Sequence, residues 1–274
     1  MQQSIQQGSF RSTGRRGRRD SRAVRRLQRL RRMTSTVLGV ALVVAVGAML
    51  FRLAASAGDG LRAAADYGEA SYDLSAYVFD ASDPMLVLVN NNLPLSADYA
   101  PADLAVADDA TGKQLAAEAA AAYRDMAEAA AADGVSLVLC SGYRDYSYQQ
   151  GLFERRTQKY LDQGKSQEEA EALAQTIVAK PGCSEHQTGL AADIVTEEYT
   201  ALDSGFAETD AYAWLVRYAA DYGFILRYPE DRQAETGIVY EPWHWRYVGR
   251  ENAQAITASG LALEGFLALH TVAG

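Results

Sequence analysis

Residues 181–195 read PGCSEHQTGLAADIV, and this stretch decides both the fold and the chemistry of the chain. Pro181 and Gly182 end the segment before it, and the apolar run at 190–195 has the length and composition of a buried strand. Asp193 interrupts that run. Because an unpaired carboxylate is costly to bury, Asp193 needs a partner, either a metal ion or a nearby arginine.

Two of the three histidines lie in unusual segments, one in this stretch and one in a second stretch further along the chain. His186 precedes Asp193 within it, and His244 lies in EPWHWRYV at residues 241–248. A catalytic zinc ion takes three protein ligands from His, Asp or Glu and keeps one position for water. Such a set is supplied by His186, Asp193 and His244. Each residue alone also has a structural interpretation: Asp193 could form a salt bridge, and either histidine could occupy a core or surface position. The third histidine, His270, is interpreted as structural or exposed.

Glu241 and Arg144 complete the candidate site. Glu241 lies three residues before His244, and Pro242 stiffens the segment between them. A carboxylate beside a metal-activated water can take up its proton and return it to a leaving amine. Arg144 ends the segment SGYR at 141–144, which directly follows the apolar run at 135–140, a position that aims a side chain into a cleft. There a guanidinium could bind a substrate carboxylate or a tetrahedral oxyanion. The carboxylate of Glu185, beside His186, is expected to accept hydrogen bonds from the backbone or from an arginine.

The remaining patterns mix helices and strands without a strict βαβ alternation, which indicates an α+β fold. Ser166 and Glu169 form a capping-box pattern at the start of one helix. The predicted elements are a strand at 85–89, a helix at 111–132, a strand at 135–140, helices at 147–161 and from 166 to before 181, a strand at 190–195, a helix at 210–222, strands at 224–228 and 243–248, and a helical end at 251–272 with a break at Gly260.

The N-terminal part is interpreted as a membrane anchor. Residues 34–51 read TSTVLGVALVVAVGAMLF, 18 uncharged residues that come close to the length needed to span a bilayer. Eleven arginines at positions 11–32 precede them and place the N-terminus in the cytoplasm. We divide the chain into a basic tail at 1–33, an anchor at 34–53, a stalk at 54–84 and a catalytic domain at 85–274. A cleavable signal sequence is the alternative for 34–53, and either interpretation exports the domain from the cytoplasm.

The charge distribution argues against a nucleic-acid partner. Residues 1–56 hold 12 of the 26 basic residues and one of the 35 acidic residues, which leaves 14 basic and 34 acidic residues in 57–274. Phosphate binding needs clustered Lys and Arg, so a body this acidic is poorly suited to DNA or RNA.

Five stretches resemble the VanY-type zinc D-alanyl-D-alanine carboxypeptidases of peptidase family M15, subfamily B. They are LVLVNNNLPL at 86–95, SGYRDYSYQQGLF at 141–153, PGCSEHQTGLAADI at 181–194, GFILRYP at 223–229 and TGIVYEPWHWRYVG at 236–249. The resemblance covers about residues 85–270. It implies a small central, mostly antiparallel sheet flanked by helices, after one transmembrane helix.

The resemblance also implies roles for individual residues. His186, Asp193 and His244 are expected to bind Zn²⁺, and Glu241 to act as general base and acid. Arg144, Gln150 and Ser184 are expected to bind substrate. The implied substrate is a peptidoglycan stem peptide that ends in D-Ala, on the outer face of a bacterial cell membrane.

Cys140 and Cys183 each directly precede one of these site segments. Since both segments must converge on one cleft, we predict that the two cysteines lie within disulfide range, with Cα atoms less than about 7 Å apart.

Three other functions stay open at this point. An L,D-carboxypeptidase or an endopeptidase could use the same zinc site with a different pocket. A non-catalytic module that binds D-Ala-D-Ala is disfavoured by Glu241, because a structural zinc needs no base.

Overall fold

The structure is a computed structural model and describes Tyr67 and residues 70–272. Within this part the chain forms an α+β fold, as predicted. The strands are β1 (Leu104–Asp108), β2 (Lys113–Ala116), β3 (Val138–Ser141), β4 (Ala191–Val195), β5 (Phe224–Leu226) and β6 (His244–Tyr247). The α-helices are α1 (Ala117–Ala132), α2 (Tyr146–Leu161), α3 (Gln167–Ala174), α4 (Asp210–Tyr218), α5 (Gln233–Thr236), α6 (Arg250–Ser259) and α7 (Leu263–Val272).

The main sheet has the strand order β3-β4-β6-β5, and every neighbouring pair is antiparallel. Strand β4 lies in its interior, and all five of its residues are buried. The second sheet is a hairpin of β1 and β2. Both sheets agree with the small antiparallel sheet that the resemblance implied.

Alternation along β6 separates the two faces of the main sheet. Trp245 and Tyr247 face the larger core, where they pack with residues of α1 and α4 such as Met126 and Trp214. His244 and Arg246 point to the opposite face. On that side Ile225 of β5 joins a second core cluster with residues of α6 and α7. The sheet therefore carries its main core on one side and its polar residues on the other.

Two predicted elements differ from the structure near the N-terminal end. The helix predicted at 111–132 begins at Ala117, because Asp108 accepts hydrogen bonds from the backbone of Ala110 and Thr111 and turns the chain into the β1–β2 hairpin. The strand predicted at 85–89 is wrong. Asp83 accepts from the Met85 N–H and starts a short 3₁₀ helix there, Pro84–Leu86.

Residues 70–84, assigned to the stalk, belong in the structure to the folded unit. Tyr72, Leu74, Tyr77 and Phe79 pack against the core cluster formed by α6 and α7. The boundary predicted at residue 85 is therefore too late. The basic tail at 1–33 and the anchor at 34–53 lie outside the described residues. Among the residues that are described, no helix is long and apolar enough to cross a membrane.

Candidate metal centre and active-site cavity

The register of the central strands brings Asp193 and His244 together. The two residues are direct partners in the β4–β6 pairing, so their side chains emerge side by side on one face. Asp193 Oδ1 lies 3.0 Å from His244 Nδ1. His186 comes from the 3₁₀ turn Glu185–Thr188, which leads into β4, and its Nε2 lies 3.3 Å from Asp193 Oδ2. One ligand atom from each of these three buried residues lies within 4.8 Å of the others. We call His186, Asp193 and His244 the metal cluster.

The backbone around His186 fixes which ring nitrogen faces the cluster. His186 Nδ1 donates to the carbonyl oxygen of Gly142 over 2.7 Å, so Nε2 carries the free lone pair. Within the described part of the chain Nε2 has no hydrogen-bond partner, because its contact with Asp193 lacks hydrogen-bond alignment. Glycine at position 142 also lets β2 pack closely against this segment, since a Cβ there would collide with the carbonyl oxygen of Gln114. Two imidazoles and a carboxylate with unused lone pairs fit a zinc ion.

Burial and neighbouring charge set the protonation of the metal cluster. Burial, followed by the positive charge of Arg144, lowers the pKa of His186 to about 4, so this imidazole is neutral. Burial also disfavours the charged form of His244, but the hydrogen bond to Asp193 and the nearby Glu185 carboxylate outweigh it and raise its pKa to about 9. In the metal-free chain His244 is therefore a cation paired with Asp193. A metal ion would displace its proton, as metal binding to histidine requires.

Glu241 lies at the edge of the metal cluster, with Oε2 3.7 Å from His244 Nδ1. It is buried, with 7% of its surface exposed. Burial raises the pKa of this carboxyl to about 8, and the negative charge of Asp193 adds to the effect. A buried carboxylate next to a metal position is suited to accept a proton from water, since a bound cation would lower its pKa again.

A cavity of about 230 Å³ opens onto these residues. Arg144 and Ser184, both predicted substrate-binding residues, line it together with Asp193, Glu241 and His244. The other side of the cavity is mainly apolar. Its further lining residues are Gln149, Leu152, Arg156, Ile177, Val178, Ala179, Leu202, Tyr228, Ile238 and Trp243.

Gln150 does not join the site, and the prediction for this residue needs correction. It is exposed on α2, where its Nε2 donates to Glu154. Its neighbour Gln149 lines the cavity instead, is 1% exposed, and donates to the carbonyl oxygen of Ala179. Consecutive helical residues differ by about 100° in direction, so only one glutamine of the pair can face inward. The helical spacing of Gln149, Leu152 and Arg156 was the signal that could have identified it.

The possible disulfide between Cys140 and Cys183 is not formed, since both are free thiols. Cys140 lies on β3 and packs against the main core, where burial raises its pKa to about 12. Cys183 lies in the turn after Lys180, whose carbonyl oxygen accepts its N–H. The two site segments do meet at the Gly142–His186 hydrogen bond, but the cysteines at their starts occupy different surroundings.

A second group of buried charges lies beside the metal cluster. Glu185 contacts Arg227 at 2.8 Å and Arg246 at 2.9 Å, and all three are at most 1% exposed. Arg227 also contacts Glu264 of α7 at 2.6 Å. We call Glu185, Arg227, Arg246 and Glu264 the ion cluster. The arginine partner expected for Glu185 is present, but no sequence pattern indicated Arg227, Arg246 or Glu264, which come from distant segments.

A buried His–Asp–His set with a carboxylate beside it, at the end of a cavity that also holds an arginine, defines a zinc-dependent hydrolase. Comparison with known proteins narrows this class. The family model described as VanY, D-alanyl-D-alanine carboxypeptidase, matches residues 112–250. A D-alanyl-D-alanine carboxypeptidase of Enterococcus faecalis is 37% identical over 69% of this chain and 67% of its own length.

Solved structures agree with this assignment. A variant of the vancomycin-resistance D,D-pentapeptidase VanY in complex with Zn(II) superposes with a TM-score of 0.59 at 38% identity, covering 67% of this chain and 98% of that one. The LD-carboxypeptidase LdcB superposes with a TM-score of 0.60 at 32% identity, covering 75% of this chain and 97% of that one. The chain belongs to the VanY D-alanyl-D-alanine carboxypeptidase family, and its cofactor is zinc.

Proposed function

We propose that this protein hydrolyses the terminal D-Ala from peptidoglycan stem peptides that end in D-Ala-D-Ala. The observation that carries the proposal is the convergence of the metal cluster, Glu241 and Arg144 on one cavity. Family membership supports the substrate class, and the E. faecalis relative carries the same activity in its name.

His186, Asp193 and His244 would hold the zinc ion, His186 through Nε2 and His244 through Nδ1. When bound, zinc supplies a Lewis acid that lowers the pKa of water to about 7. Glu241, near His244, takes the proton from the attacking water and delivers it to the nitrogen of the departing D-Ala. These two transfers leave Glu241 as it started, ready for the next turnover.

Arg144 and the polar residues near it bind and orient the peptide. Nε of Arg144 is buried and has no hydrogen-bond partner in the described chain, so its guanidinium is available to an incoming oxygen. It can stabilise the oxyanion that forms at the scissile carbonyl, or bind the terminal carboxylate. Ser184, 5% exposed, offers a hydroxyl at the same cavity. Oε1 of Gln149, also unpartnered in this part of the chain, can accept a hydrogen bond from substrate.

An L,D-carboxypeptidase is the second candidate, because the match to LdcB has as high a TM-score as the match to VanY. The two activities differ in the configuration of the residue before the scissile bond. The higher identity to VanY, 38% against 32%, favours the D,D activity.

We test the substrate by mass spectrometry of peptide products. The zinc-loaded full-length chain is incubated with a muramyl pentapeptide ending in D-Ala-D-Ala and, separately, with the tetrapeptide ending in one D-Ala. Loss of one D-Ala from the pentapeptide alone supports the D,D activity. Trimming of the tetrapeptide alone would replace it with the L,D activity, and cleavage of neither would refute both.

We further propose that residues 34–53 anchor the protein in the cell membrane with the catalytic domain outside. The apolar run and the arginines before it support this orientation. Fractionation of cells that produce the full chain should place the protein in the membrane fraction. Protease added to intact cells stripped of their cell wall should degrade the catalytic domain. Recovery of the full chain in the soluble fraction would contradict the anchor.

A further inference from the structure

The two carboxylate oxygens of Glu185 have different surroundings. Oε1 accepts a hydrogen bond from Arg227 Nε at 2.8 Å and contacts Arg246 Nη1 at 2.9 Å. Oε2 has no hydrogen-bond partner among the described residues and lies 3.9 Å from His244 Nε2. That ring nitrogen also lacks a hydrogen-bond partner in the same part of the chain. Two buried polar atoms thus face each other across a short gap.

The arginines that hold Oε1 are themselves fixed from the far side. Arg227 donates through Nη1 and Nη2 to both oxygens of Glu264, at 2.8 and 2.6 Å. Arg246 Nη2 donates to the carbonyl oxygens of Met85 and Val87, each at 2.9 Å. The two arginines and two glutamates of the ion cluster also give it a net charge of zero. The Glu185 carboxylate is therefore held in one orientation, with Oε2 directed at His244.

We propose that Glu185 is a positioning residue for the zinc site. With a metal ion held at His244 Nδ1, the Nε2–H of His244 would donate a hydrogen bond to Oε2 of Glu185, which lies 3.9 Å away. The bond holds His244 in the tautomer whose Nδ1 lone pair faces Asp193. Metal-binding histidines commonly donate their second N–H to a carboxylate or a carbonyl, which fixes the ring and raises its basicity.

The two histidine ligands then use opposite ring nitrogens. His186 donates from Nδ1 to Gly142 and offers Nε2. In the zinc-bound protein His244 would donate from Nε2 to Glu185, 3.9 Å away in this structure, and offer Nδ1. The ion cluster thereby connects α7, which carries Glu264, to a zinc ligand on β6.

Substitution of Glu185 and Glu264 tests this role with a matched pair. Both Glu185→Gln and Glu264→Gln remove one negative charge from the ion cluster, but only Glu185 faces His244. In Glu185→Gln the amide nitrogen can turn toward His244 Nε2 and favour the wrong tautomer. We expect Glu185→Gln to weaken zinc affinity by about 10- to 100-fold, measured by competition with a chromophoric chelator. Glu264→Gln keeps a carbonyl oxygen for Arg227 and leaves the Glu185 carboxylate intact, so its zinc affinity should stay well above that of Glu185→Gln. Equal zinc affinity in the two variants would overturn the proposal.

The wild-type protein offers a second test that does not depend on the variants folding. The chain has only three histidines, so their ¹⁵N side-chain resonances can be assigned in the zinc-loaded full-length protein. We expect a protonated Nδ1 on His186 and a protonated Nε2 on His244. A protonated Nδ1 on His244 would overturn the proposal, whatever the enzyme's activity.

Discussion

The metal cluster and the ion cluster are both groups of buried charged side chains, and they differ in what pairs with their carboxylates: arginines in the ion cluster, histidines in the metal cluster. In the ion cluster Arg227 lies between Glu185 and Glu264, with contacts of 2.8 and 2.6 Å. In the metal cluster Nε2 of His186 lacks a hydrogen-bond partner within the described chain. Burying polar atoms without partners is costly, so a protein retains such atoms where a ligand completes them. The comparison separates buried charges that stabilise the fold from those that bind zinc.

Loss of a zinc ligand should have the largest effect. Loss of a residue that only supports a metal ligand lowers metal affinity by up to about 100-fold. We expect His186→Ala, which removes a ligand itself, to lower zinc affinity by more than this. Activity should fall with it. Metal content by atomic absorption after dialysis measures the change. His270→Ala is the control, since His270 packs against Phe79 and Phe266 away from the site. Full zinc content in His186→Ala would remove this residue from the metal cluster.

The ion cluster should instead control stability. Arg227→Met leaves Glu185 and Glu264 without their shared cation, and breaking a buried pair costs about 3–5 kcal/mol. We expect a fall of that size in the free energy of unfolding in urea, measured on the zinc-free protein. The matched control is Arg232→Met. Arg232 is partly exposed and lies 3.6 Å from Asp231 and 3.8 Å from Glu235, so its loss should cost less than about 1 kcal/mol. Similar losses in both variants would contradict the assigned role of the ion cluster.

Zinc should stabilise the folded chain through the metal cluster. At a free zinc concentration one hundredfold above the dissociation constant, the expected gain is about 2.7 kcal/mol. Thermal unfolding with zinc and with excess chelator measures the gain as a rise in Tm. Because the effect depends on the ligands, it should vanish in His186→Ala. A zinc-dependent rise of the same size in that variant would place the metal elsewhere.

The two adjacent glutamines of α2 give the smallest expected effect and test the corrected assignment. Gln149→Ala removes a polar group from the cavity and should cost about 1–3 kcal/mol of transition-state stabilisation, the range for leaving a buried polar partner unpaired, which is a fall of about 5- to 150-fold in kcat/KM. Gln150→Ala should leave kcat/KM unchanged, because Gln150 is exposed and bonded to Glu154. The opposite order would restore Gln150 to the site.

The sequence predicted the elements whose signals are local. The capping box of Ser166 and Glu169 is present at the start of α3. The apolar run around Asp193 is β4, and Gly223 ends the helical segment before β5 with a φ of 85°. The segment at 85–89 was misassigned because its apolar residues are typical of a strand. Its carbonyl groups bond instead to Arg246, about 160 residues away, which no local pattern reveals.

The candidate site was predicted to a similar degree. The types and order of His186, Asp193, His244 and Glu241 pointed to a metal site, and the structure brings all four together. The pairing of Asp193 with His244 depends on strand register, which the sequence alone does not specify. Arg227 and Glu264 were missed for the same reason, since their partners come from distant segments.

We propose that the metal cluster holds a catalytic zinc and that Glu241, beside it, moves the proton. Glu241→Gln tests both parts in one protein, since it keeps the size of the side chain and removes its basicity. We measure zinc per chain and D-Ala release from the pentapeptide in the wild type and the variant. We expect one zinc per chain in both proteins, with release about 10²- to 10⁴-fold slower in the variant. Undiminished release by the zinc-loaded variant would contradict it.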